Sequence, residues 1–89
     1  MDFEWDPSKA HANQRKHRVS FSEAAEIFGD HHSSCAPDPD HSEGEERFLI
    51  FGVTSSGNHL VVSFTEKQHA IRIISARQMT RQERKAYEQ

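Results

Sequence analysis

Arg47-Phe48-Leu49-Ile50-Phe51-Gly52-Val53, then Thr54-Ser55-Ser56-Gly57-Asn58, then His59-Leu60-Val61-Val62-Ser63-Phe64-Thr65: this stretch decides the fold. The first run is apolar on both faces, as in a strand that is covered on both sides. The middle five residues are turn chemistry, and the third run is rich in β-branched residues. Glu66-Lys67-Gln68-His69 reads as a second turn, and Ala70-Ile71-Arg72-Ile73-Ile74-Ser75 as another strand. Strands joined this closely pair as hairpins, which predicts an antiparallel sheet with helices to one side.

Upstream, residues 31–45 are polar and carry Pro37 and Pro39. They read mostly as loop, with a short edge strand around Ser34-Cys35-Ala36. Before them, Ser20-Phe21-Ser22-Glu23 has the spacing of a capping box, and Val19 and Ala24 that of a hydrophobic staple. Phe21, Ala24, Ala25 and Phe28 fall on one helical face, and Gly29 follows as a stop. A first helix starts at Asp6-Pro7, a capping residue followed by proline at the first helical position, and runs to about His17. Downstream, Thr80-Arg81-Gln82-Glu83 is a second capping box that opens a helix to Tyr87. The expected class is α+β, with two N-terminal helices, an antiparallel sheet of three to four strands and a C-terminal helix. Residues 1–89 then form a single domain, as the length suggests.

Hydrophobic residues make up 34% of the chain and mean hydropathy is −0.87, so the core is small, which leaves room for a stabilising partner without requiring one. No apolar run approaches the roughly 20 residues that span a bilayer. The start, Met1-Asp2-Phe3-Glu4-Trp5-Asp6, lacks the basic and apolar stretches of a signal peptide. Cys35 is the one cysteine, so no internal disulfide forms, and a reducing, cytoplasmic setting is expected. Formal net charge is −3, unlike a typical nucleic-acid binder. Yet residues 30–46 hold six acids and no Lys or Arg, so the remainder carries a balance of +3. That basic body fits either a phosphate-binding face or a mixed solvated surface.

Trp5-Asp6, Lys9, Asn13, Lys16-His17 and Val19-Ser20-Phe21, then Glu23-Ala24 and Phe28, form one pattern. Glu46-Arg47, Gly52 and Thr54 continue it, and Ile71 to Arg77 with Thr80, Glu83-Arg84 and Tyr87 complete it. In this order the segments resemble the BrnT family of bacterial type II toxins over nearly the whole chain. The resemblance implies a compact fold similar to the RelE ribonuclease toxins, and RNA cleavage without metal or other cofactor. It also implies neutralisation by a BrnA-type antitoxin with a ribbon-helix-helix domain. DNA would then be bound only through the antitoxin, and no membrane is involved.

Cleavage of RNA without metal needs a base near the 2′-hydroxyl, an acid at the leaving oxygen and cations around the phosphorane. Histidine titrates nearest neutrality and arginine grips phosphoryl oxygens through paired N–H donors. The candidate catalytic set is Lys16, His17, Glu46, Arg47, Arg72 and Arg77, with Lys9, Trp5 and Tyr87 as RNA contacts. Each also has a structural reading. Lys16 and His17 complement a helix C-terminus. Glu46 and Arg47 pair across strands. Arg72, opposite Ile71 and Ile73 by alternation, is a solvated face residue. Arg77 precedes a capped helix, and Trp5 and Tyr87 fill a core. His31, His32, Asp38, Asp40 and His41 are metal-ligand types without a metal-site spacing, and no metal site is assigned to them. Cys35 lacks the setting of a nucleophile. The leading reading is a metal-independent endoribonuclease toxin that inhibits translation. Its alternatives are a non-catalytic RNA- or protein-binding module of the same fold, and a metal-dependent enzyme using the histidine-acid loop.

Overall fold

The computed structural model describes residues 1–39 and 45–88. Its elements run β1 (Asp2–Glu4), α1 (Pro7–His17), α2 (Phe21–Glu26), a 3-10 turn (Ile27–Gly29) and β2 (Ser34–Pro37). Then follow β3 (Phe48–Val53), β4 (His59–Lys67), β5 (Ala70–Gln78) and α3 (Arg81–Tyr87). One sheet holds five strands in the order β1-β5-β4-β3-β2. The pairs from β2 to β5 are antiparallel, but β1 runs parallel to β5. The sheet is therefore mixed and has five strands, where a purely antiparallel one of three to four was expected. The difference lies in β1. Three residues with Phe3 between two acids carry no local strand signal; the strand forms because β5 offers Ala70 to Arg72 as an unpaired edge.

Local chemistry explains the helices. The Asp6 carboxylate accepts from the Ser8 N–H at 2.8 Å, and Pro7 opens α1. The Ser20 hydroxyl accepts from the Glu23 N–H at 3.0 Å. The expected reciprocal half of that capping box is not made, because the Glu23 carboxylate accepts from the Asn58 amide instead. The box at Thr80 and Glu83 is complete in both directions. After Glu26 the chain tightens into the 3-10 turn. Three residues per turn then place Ile27 under Phe21 and Ala24, and all three are buried.

The core lies between this helical layer and one face of the sheet. Val19, Phe21, Ala24 and Ile27 pack on Ile50, Leu60, Val62, Phe64, Ile73 and Ala76. Phe3, Phe28, Phe64 and Phe48 form a chain of rings with centroids 5.2, 5.0 and 5.6 Å apart. The helical layer comes close to the sheet at Gly52, where an added Cβ would sit 3.0 Å from the Ile27 Cβ and 3.3 Å from its carbonyl. Gly52→Ala is expected to destabilise by about 1–3 kcal/mol through overpacking, read as a lower urea midpoint at unchanged slope.

The helices do not all lie on one side, as the hairpin reading expected. α3 packs on the opposite face. Its Tyr87 meets the ring of His59 edge-on at 5.8 Å, and Ala86 and Tyr87 share a cleft with Phe51. His59, Val61 and Phe51 all face away from the main core, and α3 explains how Val61 is buried there. None of the seven residues of α3 is itself buried; the half-buried Glu83 and Tyr87 anchor it by polar contacts beside this packing.

Candidate active site and nucleic-acid interface

Strict alternation would put Arg72 and Arg77, five residues apart, on opposite faces of the sheet. A β-bulge changes this. Ser75 pairs with Ser63 and Ile73 with Phe64, so Ile74 is an extra residue in β5. Ile73 and Ala76 both point into the core, while Arg72, Ser75 and Arg77 all take the other face. Bulges commonly re-aim side chains beside active sites.

The open face is then built in rows across the strands. Arg72 lies opposite Thr65, whose hydroxyl donates to the Glu46 carbonyl at 2.7 Å. Ser75 lies opposite Ser63, whose hydroxyl donates to the Asp38 carboxylate at 3.4 Å. Arg77 lies opposite Val61, in the row that α3 covers. Two guanidinium groups thus flank a pair of serines, of which Ser75 is exposed and Ser63 is buried.

Both arginines are held by carboxylates. Arg72 Nη1 donates to Glu4 Oε2 at 2.6 Å from the edge strand β1. Arg77 donates through Nη1 and Nη2 to Glu83 at 2.7 and 3.0 Å, a two-pronged contact that ties α3 to the sheet. The Arg77 hydrogen bonds hold the Glu83 carboxyl down at about 2, below the usual carboxylate range. A carboxylate with a lowered folded pKa gives stability that is complete above its unfolded value and is lost as pH falls through the folded one. Stability is thus expected to fall between about pH 4.5 and pH 2 by about 1 kcal/mol from this group, a figure reduced because Arg77 is 39% exposed. Denaturant melts at pH 5 and pH 3 check it: Glu83→Gln, which keeps the cap, should flatten that slope.

Tyr87 closes the other end of α3. Its hydroxyl donates to Asp30 Oδ2, which also accepts from the Val53 N–H at 2.9 Å. The Tyr87 contact is the main cause that keeps the Asp30 carboxyl below its ordinary range. Burial, and then Asp30 itself, push Tyr87 up to about 12.

The candidate residues do not converge on one point. Lys9, Lys16 and His17 line a depression of about 210 Å³ along α1, which reaches β5 at Ile74 and Ser75. That places them at the outer rim of the serine row. The Glu46 carbonyl meets the Thr65 hydroxyl at one end of the face, with β4 between it and Arg72. Arg47, next to it, pairs with Glu45 at 3.4 Å. Trp5 packs edge-on against Phe21 at 5.9 Å, at the margin of the core, and Tyr87 is spoken for by Asp30 and His59. Neither ring stands free as a platform for a base. Among the described residues no three His, Cys, Asp or Glu side chains converge as a metal site would require. Asp40 and His41 lie outside the described residues.

The BrnT family of ribonuclease toxins, belonging to type II toxin–antitoxin systems, matches residues 5–83. The chain belongs to this family. Among solved structures, the 1.1 Å crystal structure of the Brucella abortus ribonuclease toxin BrnT is similar, with a TM-score of 0.67 and 21% identity. The similarity covers 91% of this chain and 99% of the other, and it shows a shared fold. No protein in a search of curated sequences matches. No helix among the described residues of this BrnT-family chain is long and apolar enough to cross a membrane.

Sequence reasoning about this BrnT-family chain passed over several residues that shape the face. Asn13, seen there only as part of a pattern, is buried in α1 and bonds Val19 and both backbone groups of Ala76. Its helical spacing from Ala10 and His17 was the available signal, since all three fall on one face. Glu4 and Ser63 gave no signal and Asp38 only that of an acidic loop residue, because each acquires its partner through the pairing of distant segments. Glu83 was read as a cap alone, and its second bond to Arg77 depends on where α3 packs.

Proposed function

We propose that this chain is a metal-independent endoribonuclease that cuts cellular RNA and thereby stops translation. The observation that carries the reading is the bulge at Ile74, which gathers Arg72 and Arg77 onto one polar face. Family membership supplies the reaction class, ribonuclease. In the reaction the RNA 2′-oxygen forms a bond to the adjacent phosphorus and the bond to the 5′-oxygen breaks. The 2′-hydroxyl proton passes to a base, and a proton is delivered to the leaving 5′-oxygen. The guanidinium groups stabilise the extra negative charge on the non-bridging oxygens. In this reading His17 at the rim and Glu46 at the Thr65 end of the face move the protons, and Lys9 and Lys16 extend the cationic track for the strand.

The partner in this reading is a BrnA-type antitoxin with a ribbon-helix-helix domain, which occludes the face and carries DNA binding for the complex. The family's type II description supports an antitoxin in general. A fold similar to the RelE toxins is part of the same proposal. A cytoplasmic setting, where its target RNA lies, fits an exposed lone Cys35.

Incubating the purified protein with RNA, with and without EDTA, tests the reaction. Equal cleavage in both arms is the expected result. Cleavage lost with EDTA makes the enzyme metal-dependent, and binding without cleavage in either arm leaves the non-catalytic module.

A further inference from the structure

Each arginine on or next to the sheet is paired with a carboxylate of the same chain: Arg47 with Glu45, Arg72 with Glu4 and Arg77 with Glu83. A carboxylate and a phosphate offer an arginine the same thing, two anionic oxygens in a plane. We propose that Glu4 is an internal competitor for RNA phosphate at Arg72, and so sets how tightly the face holds its substrate. The proposal rests on the ribonuclease reading above.

Glu4 is singled out by elimination. Glu83 also accepts from the Thr80 N–H and so has a structural task in starting α3. Glu45 reaches Arg47 only at 3.4 Å. The Glu4 carboxylate makes no hydrogen bond among the described residues other than that to Arg72, and at 2.6 Å theirs is the shortest of the three ion pairs. Register explains the contact: Glu4 lies directly beside Arg72 across the parallel pair, on the same open face. The carboxylate and the guanidinium side chains are 43% and 33% exposed. An exposed pair of this kind adds little to folding. Its larger effect falls on the ligand, because an incoming phosphate must displace Glu4 or share the guanidinium with it. An acidic residue beside a phosphate-binding arginine weakens capture and, by the same competition, speeds release of product.

The test measures binding of a short single-stranded 2′-O-methyl oligoribonucleotide, which cannot be cleaved, by fluorescence anisotropy. Glu4→Gln should bind about two- to fivefold more tightly, the range set by the strength of an exposed ion pair. Its salt dependence should steepen by about 0.7 in log–log slope, one more unmasked cation against a single strand. Glu4→Asp, with a carboxylate drawn back from Arg72, should tighten binding in the same direction. Glu23→Gln, an equal charge change on α2, should shift affinity much less. In an Arg72→Gln background the gain from Glu4→Gln should vanish. A Glu4→Gln effect that is absent, reversed, equal to that of Glu23→Gln or persistent without Arg72 overturns the masking role alone, provided Arg72→Gln weakens binding. If Arg72→Gln binds as tightly as the unaltered protein, the placement of RNA on this face falls, and the masking role falls with it.

Discussion

Alanine at Asn13 is expected to destabilise the protein by about 3 kcal/mol or more, the combined cost of three buried backbone groups left without partners. Asn13 is 7% exposed. Its Nδ2 donates to the carbonyls of Val19 and Ala76, both at 2.9 Å, and its Oδ1 accepts from the Ala76 N–H at 3.0 Å. The reason for this arrangement is β1. That strand pairs with β5 only from Ala70 to Arg72, so beyond it the outer edge of β5 has no paired strand among the described residues. The Asn13 amide supplies one donor and one acceptor to Ala76, as a strand residue would, and in the same stroke fixes α1 and the entry to α2 at Val19. For a domain of this size, a loss of that order lowers Tm by roughly 12–24 °C. Thermal and urea melts of Asn13→Ala check it. Asn13→Asp should be worse still, since it keeps the acceptor but turns a negative charge on two carbonyls. A loss under about 1 kcal/mol for Asn13→Ala would mean that water replaces the amide and that the edge is not sealed by this residue.

The strands that pair as hairpins were legible because their signals are local. The runs from Phe48 to Val53 and from His59 onward, the turn between them and both helix starts at Asp6 and Thr80 are fixed by neighbours in sequence. In that turn Gly57 takes a φ of 91°, as the Ser-Gly-Asn signal suggests. What could not be read was set at a distance. β1 is a strand only because β5 has a free edge. α3 crosses to the far face because Glu83 and Tyr87 find Arg77 and Asp30 there. The site suffered most from one such effect. Alternation placed Arg72 correctly opposite Ile71 and Ile73, but gave no account of its relation to Arg77 across the bulge. Ile73-Ile74 has no glycine or polar residue to mark the irregularity; the bulge serves to keep both Ile73 and Ala76 in the core. Trp5 illustrates the opposite case, a ring with functional appeal that a small core claims against Phe21.

Arg72→Ala is expected to lower the rate of RNA cleavage on the order of a hundredfold, the usual effect of removing one preorganised donor to a developing oxyanion. Folding should hardly change, within about 0.5 kcal/mol, because the pair with Glu4 is exposed at the sheet margin. That separation of activity from stability is what makes Arg72 a better test than Arg77. Loss of Arg77 frees Glu83 from the sheet and loosens α3, so a slower Arg77 variant reports on both folding and chemistry. Arg72→Lys should fall between the unaltered protein and alanine, since it keeps the charge but not the planar fork. The kinetic constants distinguish two roles. A guanidinium that meets the phosphorane lowers kcat when removed, whereas one that only grips the ground-state phosphate raises KM and leaves kcat intact. If Arg72→Ala cuts RNA at full rate with unchanged KM, the bulge has gathered these cations for some other ligand. The chemistry must then be sought along α1, where Lys16 and His17 meet Ser75.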